Sequence, residues 1–125
     1  MSILDIAMQD VPEVKNAPAG EHQVEIAHAE EKVFNSGRAG LSIRLTILDE
    51  PDCESIFHNV MYDMEGDSDS TKRMMILGTK NFVESFDITS NDPEDYVGKR
   101  AWAVTDLEEY EGQERAVVKK FMPAQ

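Results

Sequence analysis

The hydrophobic and polar positions of the chain alternate most regularly over residues 41–47. Every second residue there is apolar and the residues between are polar: Leu41, Ile43, Leu45 and Ile47 against Ser42, Arg44 and Thr46. This period of two predicts a β-strand with one buried and one solvated face. Arg44 belongs to the polar face, where it either contacts a phosphate or simply faces solvent.

Two further strands are predicted, one before and one after this strand. Residues 22–34 form a long strand with Val24, Ile26 and His28 on one face. A polar turn with two glycines joins it to the next strand. Residues 55–62 form a third, less regular strand.

One helix follows an acidic loop. The pattern predicts a helix that Asp69 or Ser70 caps and that runs to about Phe86, with a buried stripe that includes Met75 and Val83. The acidic loop before it is expected to be flexible. As a hypothesis, it could also recruit a partner protein.

The last predicted elements are two strands and a polar turn, over residues 98–122. Small residues alternate with large ones around Trp102, the only tryptophan. An antiparallel hairpin would bring its cations together, although like charges facing across strands cost roughly 0.2–1 kcal/mol. Such a cluster beside an indole ring suggests an anionic ligand with flat rings, such as single-stranded nucleic acid. The cations expected to converge are Lys99, Arg100, Arg115 and Lys119.

The order of three strands, one helix and two strands predicts a mainly β fold. It is the element order of an OB-fold, a five-stranded Greek-key barrel with one helix between strands three and four. We assign this domain to residues 21–125. Residues 1–20 contain two closely spaced prolines and are expected to form an extended N-terminal arm.

Composition limits the classes of partner. The 125 residues carry a net charge of −13, so a polyanion is repelled at long range unless charge is segregated. The acids do cluster in turn-like segments, whereas many cations fall on predicted strands. The alternative interpretation is that the acidic residues simply keep the protein in solution.

No apolar run approaches the ~20 residues of a membrane span. A single cysteine, Cys53, is consistent with a reducing cytoplasm.

Several short motifs resemble a family of phage-encoded single-stranded DNA-binding proteins. These motifs are Pro18–His22, Glu31-Lys32 before Ser36-Gly37, Asp92–Arg100, Glu109–Gly112 before Arg115, and Phe121–Pro123. The resemblance covers residues 18–123. It implies an OB-fold that binds single-stranded DNA with little sequence preference during phage DNA replication and recombination. It also implies action in the cytoplasm of the infected bacterial host, beside a phage recombinase, exonuclease or replication proteins.

The candidate contacts each have a structural alternative. Trp102 could stack on a base or lie in the core. Lys32 and Arg38 flank the loop between the first two strands, a loop that OB-folds use for oligonucleotides. Tyr62, like two phenylalanines (Phe34 and Phe57), could stack on a second base or pack in the core. The hairpin cations could instead form ion pairs with neighbouring glutamates. Such pairs add little to stability at an exposed surface.

No pattern points to an enzyme, a cofactor or a metal site. The three histidines are isolated, and the carboxylates fall in turns where they should be solvated. Two other functions remain open: an acidic protein-interaction module, such as a DNA-mimicking inhibitor of a host nuclease, or a virion structural protein. A homo-oligomer is compatible with each of them.

Overall fold

The computed structural model describes residues 15–124, apart from the side chain of Tyr110. Most of the predicted N-terminal arm therefore lies outside the described residues. The elements are β1 (Gly20–Val33), β2 (Ala39–Ile47), β3 (Ile56–Met61), α1 (Asp69–Phe86), a short 3-10 helix (Pro93–Tyr96), β4 (Arg100–Tyr110) and β5 (Gln113–Pro123). No described helix is long and apolar enough to cross a membrane.

The five strands form one antiparallel sheet in the order β3-β2-β1-β4-β5. This confirms the mainly β class, the number of strands and the helix between the third and fourth strands. The two edge strands approach each other, and the rings of His58 on β3 and Phe121 on β5 meet edge to face at 5.2 Å. The described residues form no ladder between β3 and β5, so the sheet is not closed and a barrel is not confirmed.

The apolar face of β2 is buried as its alternation predicts, from Leu41 to Ile47. The predicted face of His28 is wrong. β1 carries a bulge between Ile26 and His28, so Ala29 is buried and the side chain of His28 is 60% exposed. An extra residue in one strand reverses the faces of every residue that follows it.

Helix α1 packs mainly through its C-terminal half. Its cap is Ser68, whose Oγ accepts a hydrogen bond from the Thr71 amide at 3.2 Å, so the cap lies one residue before the predicted positions. Asn81 exchanges two hydrogen bonds of 2.9 Å with the backbone of Phe121, which attaches the helix to the edge strand β5. Val83 is exposed, contrary to the predicted stripe, because the sheet contacts a narrower face of the helix.

A buried histidine joins three parts of the chain. His22 is 5% exposed, and its Nδ1 lies 2.8 Å from Oδ2 of Asp49 while its Nε2 lies 2.6 Å from the Pro18 carbonyl oxygen. Burial alone lowers the pKa of His22, but hydrogen bonds to Pro18 and Asp49 outweigh it and raise the pKa. With an acceptor at both ring nitrogens, the imidazolium form fits this site.

We predict that His22→Gln destabilises the fold by roughly 1–3 kcal/mol, because buried hydrogen bonds are lost. A histidine whose pKa is higher in the folded than in the unfolded protein stabilises the fold. This contribution is complete below the pKa of the unfolded state, and it disappears as pH rises through the pKa of the folded state. The difference in unfolding free energy between wild type and variant should therefore be larger near about pH 5 than near about pH 9. Urea unfolding at both pH values measures it. His28→Gln, at an exposed histidine, is the control, and a pH-independent difference for H22Q would contradict the prediction.

Candidate nucleic-acid interface

The solvent-facing side of β1, β2 and β3 carries a cation beside an exposed aromatic ring. Arg44 on β2 is in register with His28 on β1 and with Phe57 on β3. Cross-strand partners share a face, and neighbouring Leu45 is buried, so this row points away from the core. The Phe57 residue is 73% exposed, the highest exposure among the described large hydrophobic residues.

The next rows extend the same face towards the β1–β2 turn. One row is polar and contains Glu30, Ser42 and Asn59, and the following row contains Lys32, Gly40 and Met61. Glu30 brings a carboxylate Oε2 to 3.8 Å from Nε2 of His28, so the face is mixed in charge rather than uniformly basic.

A second aromatic ring lies at this end because Gly40 has no side chain. A Cβ at Gly40 would lie 2.8 Å from Cε2 of Phe34 and 2.6 Å from the Val60 carbonyl oxygen, both too close. Nζ of Lys32 lies 5.2 Å from the centre of the Phe34 ring, a cation–π distance. We define the outer face as the solvent-facing rows of β1–β3 together with Phe34. It carries two phenylalanines and two cations, Arg44 and Lys32.

From the sequence, Phe57 is a candidate for stacking on a second base or for packing in the core, and the structure places it at the surface. The available signal was the alternation of β3, in which Ile56 and Val60 are buried and Phe57 and Asn59 fall between them on the other face. A large aromatic residue on the polar face of a strand is the informative exception, because burial normally removes such a ring from water.

Trp102 also faces outward. Its neighbours on β4, Ala101 and Ala103, are buried, and its cross-strand partners are Gln23 on β1 and Met122 on β5. The indole is partly exposed and is not part of the buried core. Its role in stacking on a base stays a prediction.

The hairpin cations do not converge, so that prediction is wrong. The register of β4 and β5 sets Arg115 opposite Glu108, which is 108 − 100 = 8 residues along β4 from Arg100. At about 3.3 Å per residue, this separates the two guanidinium-bearing positions by roughly 26 Å along the strand. Arg115 therefore lies among the acids near the tip of the hairpin, whereas Arg100 lies at its open end.

Hydrogen bonds involve the side chains of Arg100, Lys119 and Lys99. Arg100 Nε donates to Oε1 of Glu25 at 2.9 Å, and Lys119 Nζ donates to Oε1 of Glu108 at 2.5 Å. The hydrogen bond to Glu108 raises the pKa of Lys119. Lys99 Nζ lies 3.4 Å from the backbone carbonyl oxygen of Asp87, at the end of α1. The pairing of Lys119 with Glu108 is the alternative given for the hairpin cations, whereas Arg100 pairs with a glutamate of β1 and Lys99 contacts a backbone carbonyl oxygen.

Arg38 is an internal anchor. Its guanidinium, 17% exposed, donates to both carboxylate oxygens of Asp67 at 2.8 Å and to the Tyr62 carbonyl oxygen at 2.9 Å. Asp67 also accepts a hydrogen bond from the Met64 amide at 2.9 Å, so the acidic loop is an anchored turn. The pKa of Asp67 falls to about 2, chiefly because of its hydrogen bonds with Arg38. We leave Arg38 out of the interface.

Tyr62 is likewise turned inward. Its ring packs against the core, and burial raises the pKa of its phenol. Among the cations predicted from sequence to bind DNA, Arg44 and Lys32 lie on the outer face defined above.

The comparison with known proteins assigns a family. A model for a protein of unknown function (DUF669) matches residues 4–125 of the 125-residue chain. The chain belongs to the DUF669 family. No curated protein matches the chain.

Within residues 15–124, this DUF669 member has no group of three or more His, Cys, Asp or Glu side chains that could hold a metal ion. The outer face offers aromatic rings, cations and hydrogen-bonding side chains. These groups can stack, neutralise phosphates and donate hydrogen bonds.

We predict that Asp67→Asn lowers the free energy of unfolding above about pH 4, because Arg38 loses its paired carboxylate. An aspartate whose pKa is lower in the folded than in the unfolded protein stabilises the fold. This contribution is complete above the pKa of the unfolded state, and it disappears as pH falls through the pKa of the folded state. The difference from wild type should thus shrink as pH falls towards about 2. Denaturant titrations across this range measure it, with the exposed Glu65→Gln from the same loop as the control. A difference that stays constant over the range would exclude the ion pair as its cause.

Proposed function

We propose that this DUF669 member binds single-stranded DNA with little sequence preference, through the outer face of β1–β3. The single observation that carries the proposal is the register of exposed Phe57 with Arg44 on adjacent strands. A ring that can stack on a base beside a cation that can meet a phosphate is the basic unit of single-strand binding.

The finer fold that we propose is a partly open OB-fold barrel. Three observations support it: the strand order, the helix between β3 and β4, and the ring contact of His58 with Phe121 across the two sheet edges. OB-folds bind oligonucleotides through the face of strands two and three and through the loop between strands one and two. Arg44, Phe57 and Phe34 lie in the corresponding parts of this chain.

The energy of binding would come mainly from stacking. Each base stacked on an aromatic side chain contributes about 1–3 kcal/mol and requires no particular base. Arg44 and Lys32 would neutralise only a few phosphates, and the net charge of −13 opposes the approach of DNA over longer distances. We therefore expect weaker salt dependence than for a basic DNA-binding protein.

In its biological setting, the protein would coat transient single strands without catalysing a reaction on them. Coating would prevent re-annealing and block nucleases during phage DNA replication and recombination in the bacterial cytoplasm. The resemblance described above supports this setting, with a phage recombinase, exonuclease or replication protein as the recipient of the coated strand.

A second candidate function rests on the β4–β5 hairpin. Its tip presents exposed carboxylates, at Asp106, Glu109, Glu111 and Glu114. Such a surface favours an acidic interaction module that resembles the charge of DNA. A host nuclease that binds the hairpin in the absence of any oligonucleotide binding would support this alternative.

We predict that Phe57→Ala weakens binding of fluorescein-labelled oligo(dT) by roughly 5- to 150-fold, which corresponds to the loss of about one stacked base. Fluorescence anisotropy measures the affinity. Leu77→Ala, at an exposed apolar residue of α1, is the matched control and should bind as wild type does. Equal affinity of wild type and F57A, with both proteins folded, would remove Phe57 from the interface.

We predict that Arg44→Gln and Lys32→Gln each make the salt dependence of binding shallower. Each neutralised phosphate contributes about −0.7 to the slope of log affinity against log salt for a single strand. Lys119→Gln is the control, since Lys119 pairs with Glu108 on the hairpin. Affinities measured at several salt concentrations give the slopes. A wild-type affinity that does not change with salt would exclude phosphate contacts altogether.

A further inference from the structure

A cavity of about 550 Å³ lies between the inner side of the sheet and helix α1. Its walls include Leu41 and Tyr62 from the sheet, Phe82 from the helix, and Tyr96 from the 3-10 helix. This volume is within the range of roughly 300–1,000 Å³ that is typical of small-ligand sites. The outer face is on the opposite side of the sheet, so the cavity is separate from the proposed DNA interface.

An acidic residue, Glu31, lines this cavity and is itself exposed to solvent. Glu31 pairs with Leu41 across β1 and β2, and Leu41 is buried, so both side chains are on the inner side of the sheet. The preceding residue, Glu30, pairs with Ser42 and faces outward. Glu31 is the only charged residue among the described residues that line the cavity.

The pKa shifts of two tyrosines in the cavity walls agree with the position of Glu31. Burial raises the pKa of both Tyr62 and Tyr96, and the negative charge of Glu31 raises both further. The Tyr96 hydroxyl donates to the Ser90 carbonyl oxygen at 2.8 Å, which orients its ring in the wall. A carboxylate among electron-rich ring faces creates a site that favours positive charge.

We propose that the cavity binds an organic cation, namely a guanidinium or ammonium group on an apolar stem. Glu31 accepts hydrogen bonds from the cationic group, the rings of Tyr62 and Phe82 surround it, and Leu41 contacts the stem. The cation is either a free amine or an arginine or lysine side chain of a partner protein. This proposal does not depend on DNA binding by the outer face.

The test uses the full chain and three probes. Agmatine supplies a free guanidinium compound, Nα-acetyl-arginine methylamide imitates an arginine residue in a peptide, and the corresponding citrulline compound is its neutral isostere. Titrations are followed by two-dimensional amide NMR and by calorimetry. We expect saturable shifts at residues that line the cavity with a guanidinium probe and none with the citrulline compound.

Two neighbouring variants separate the cavity from the outer face. Glu31→Gln should weaken binding of the guanidinium probe by about tenfold or more, because a charge-assisted hydrogen bond is lost. Glu30→Gln makes the same change in charge on the other side of the strand and should alter the affinity less than about twofold, because the Glu30 carboxylate points away from the cavity and solvent screens its charge. NMR spectra of both variants verify that they fold.

Each outcome decides the proposal. Tighter binding of the arginine methylamide than of agmatine supports a partner side chain, and the reverse order supports a free amine. The proposal is overturned if no guanidinium probe gives saturable shifts, if the citrulline compound binds equally well, or if E30Q and E31Q weaken binding to the same extent. Oligo(dT) binding by E31Q is measured in parallel, so a failure of the DNA proposal is distinguished from a failure of this one.

Discussion

The bulge in β1 determines which chemistry each side of the sheet carries. β1 is the central strand, paired with β2 on one side and β4 on the other, and the bulge lies where its pairing with β4 ends. Ile26 there exchanges backbone hydrogen bonds with Gly98 and Lys99, at 2.8 and 2.9 Å. Because the extra residue reverses the faces that follow, Lys32 points outward and Glu31 points inward. The cavity site depends on this reversal, and the outer face gains Lys32 through it.

Buried polar contacts fix the ends of the strands around this central element. His22 ties the segment before β1 to Asp49 after β2, and Arg38 ties the β1–β2 turn to Asp67 ahead of the helix. Asn81 attaches the helix to the β5 edge. These bonds cross long stretches of sequence, so they restrict the fold more than a local turn does. These contacts also use polar side chains, above all Arg38, that could otherwise bind a ligand.

The two sides of the sheet therefore favour opposite ligands. The outer face offers rings with Arg44 and Lys32 and suits a polyanion with stackable bases. The inner cavity offers rings with Glu31 and suits a cation. A protein with a net charge of −13 is expected to attract cations generally, so the proposed binding of DNA by the outer face would oppose the overall field and depend on contact at short range.

Local patterns in the sequence by themselves determined the mainly β class, the five strands, the position of the helix and the buried side of β2. Each of these depends on the spacing at which apolar and polar side chains repeat along a short segment. The tertiary structure alone decided the face of His28, the partner of Arg38 and the separation of the hairpin cations. A bulge shifts register with little local signal, and an ion pair between Arg38 and Asp67 joins residues 29 positions apart. The exposure of Phe57 lies between these cases, because alternation indicates its side of β3 but only packing decides that nothing covers it within the described structure.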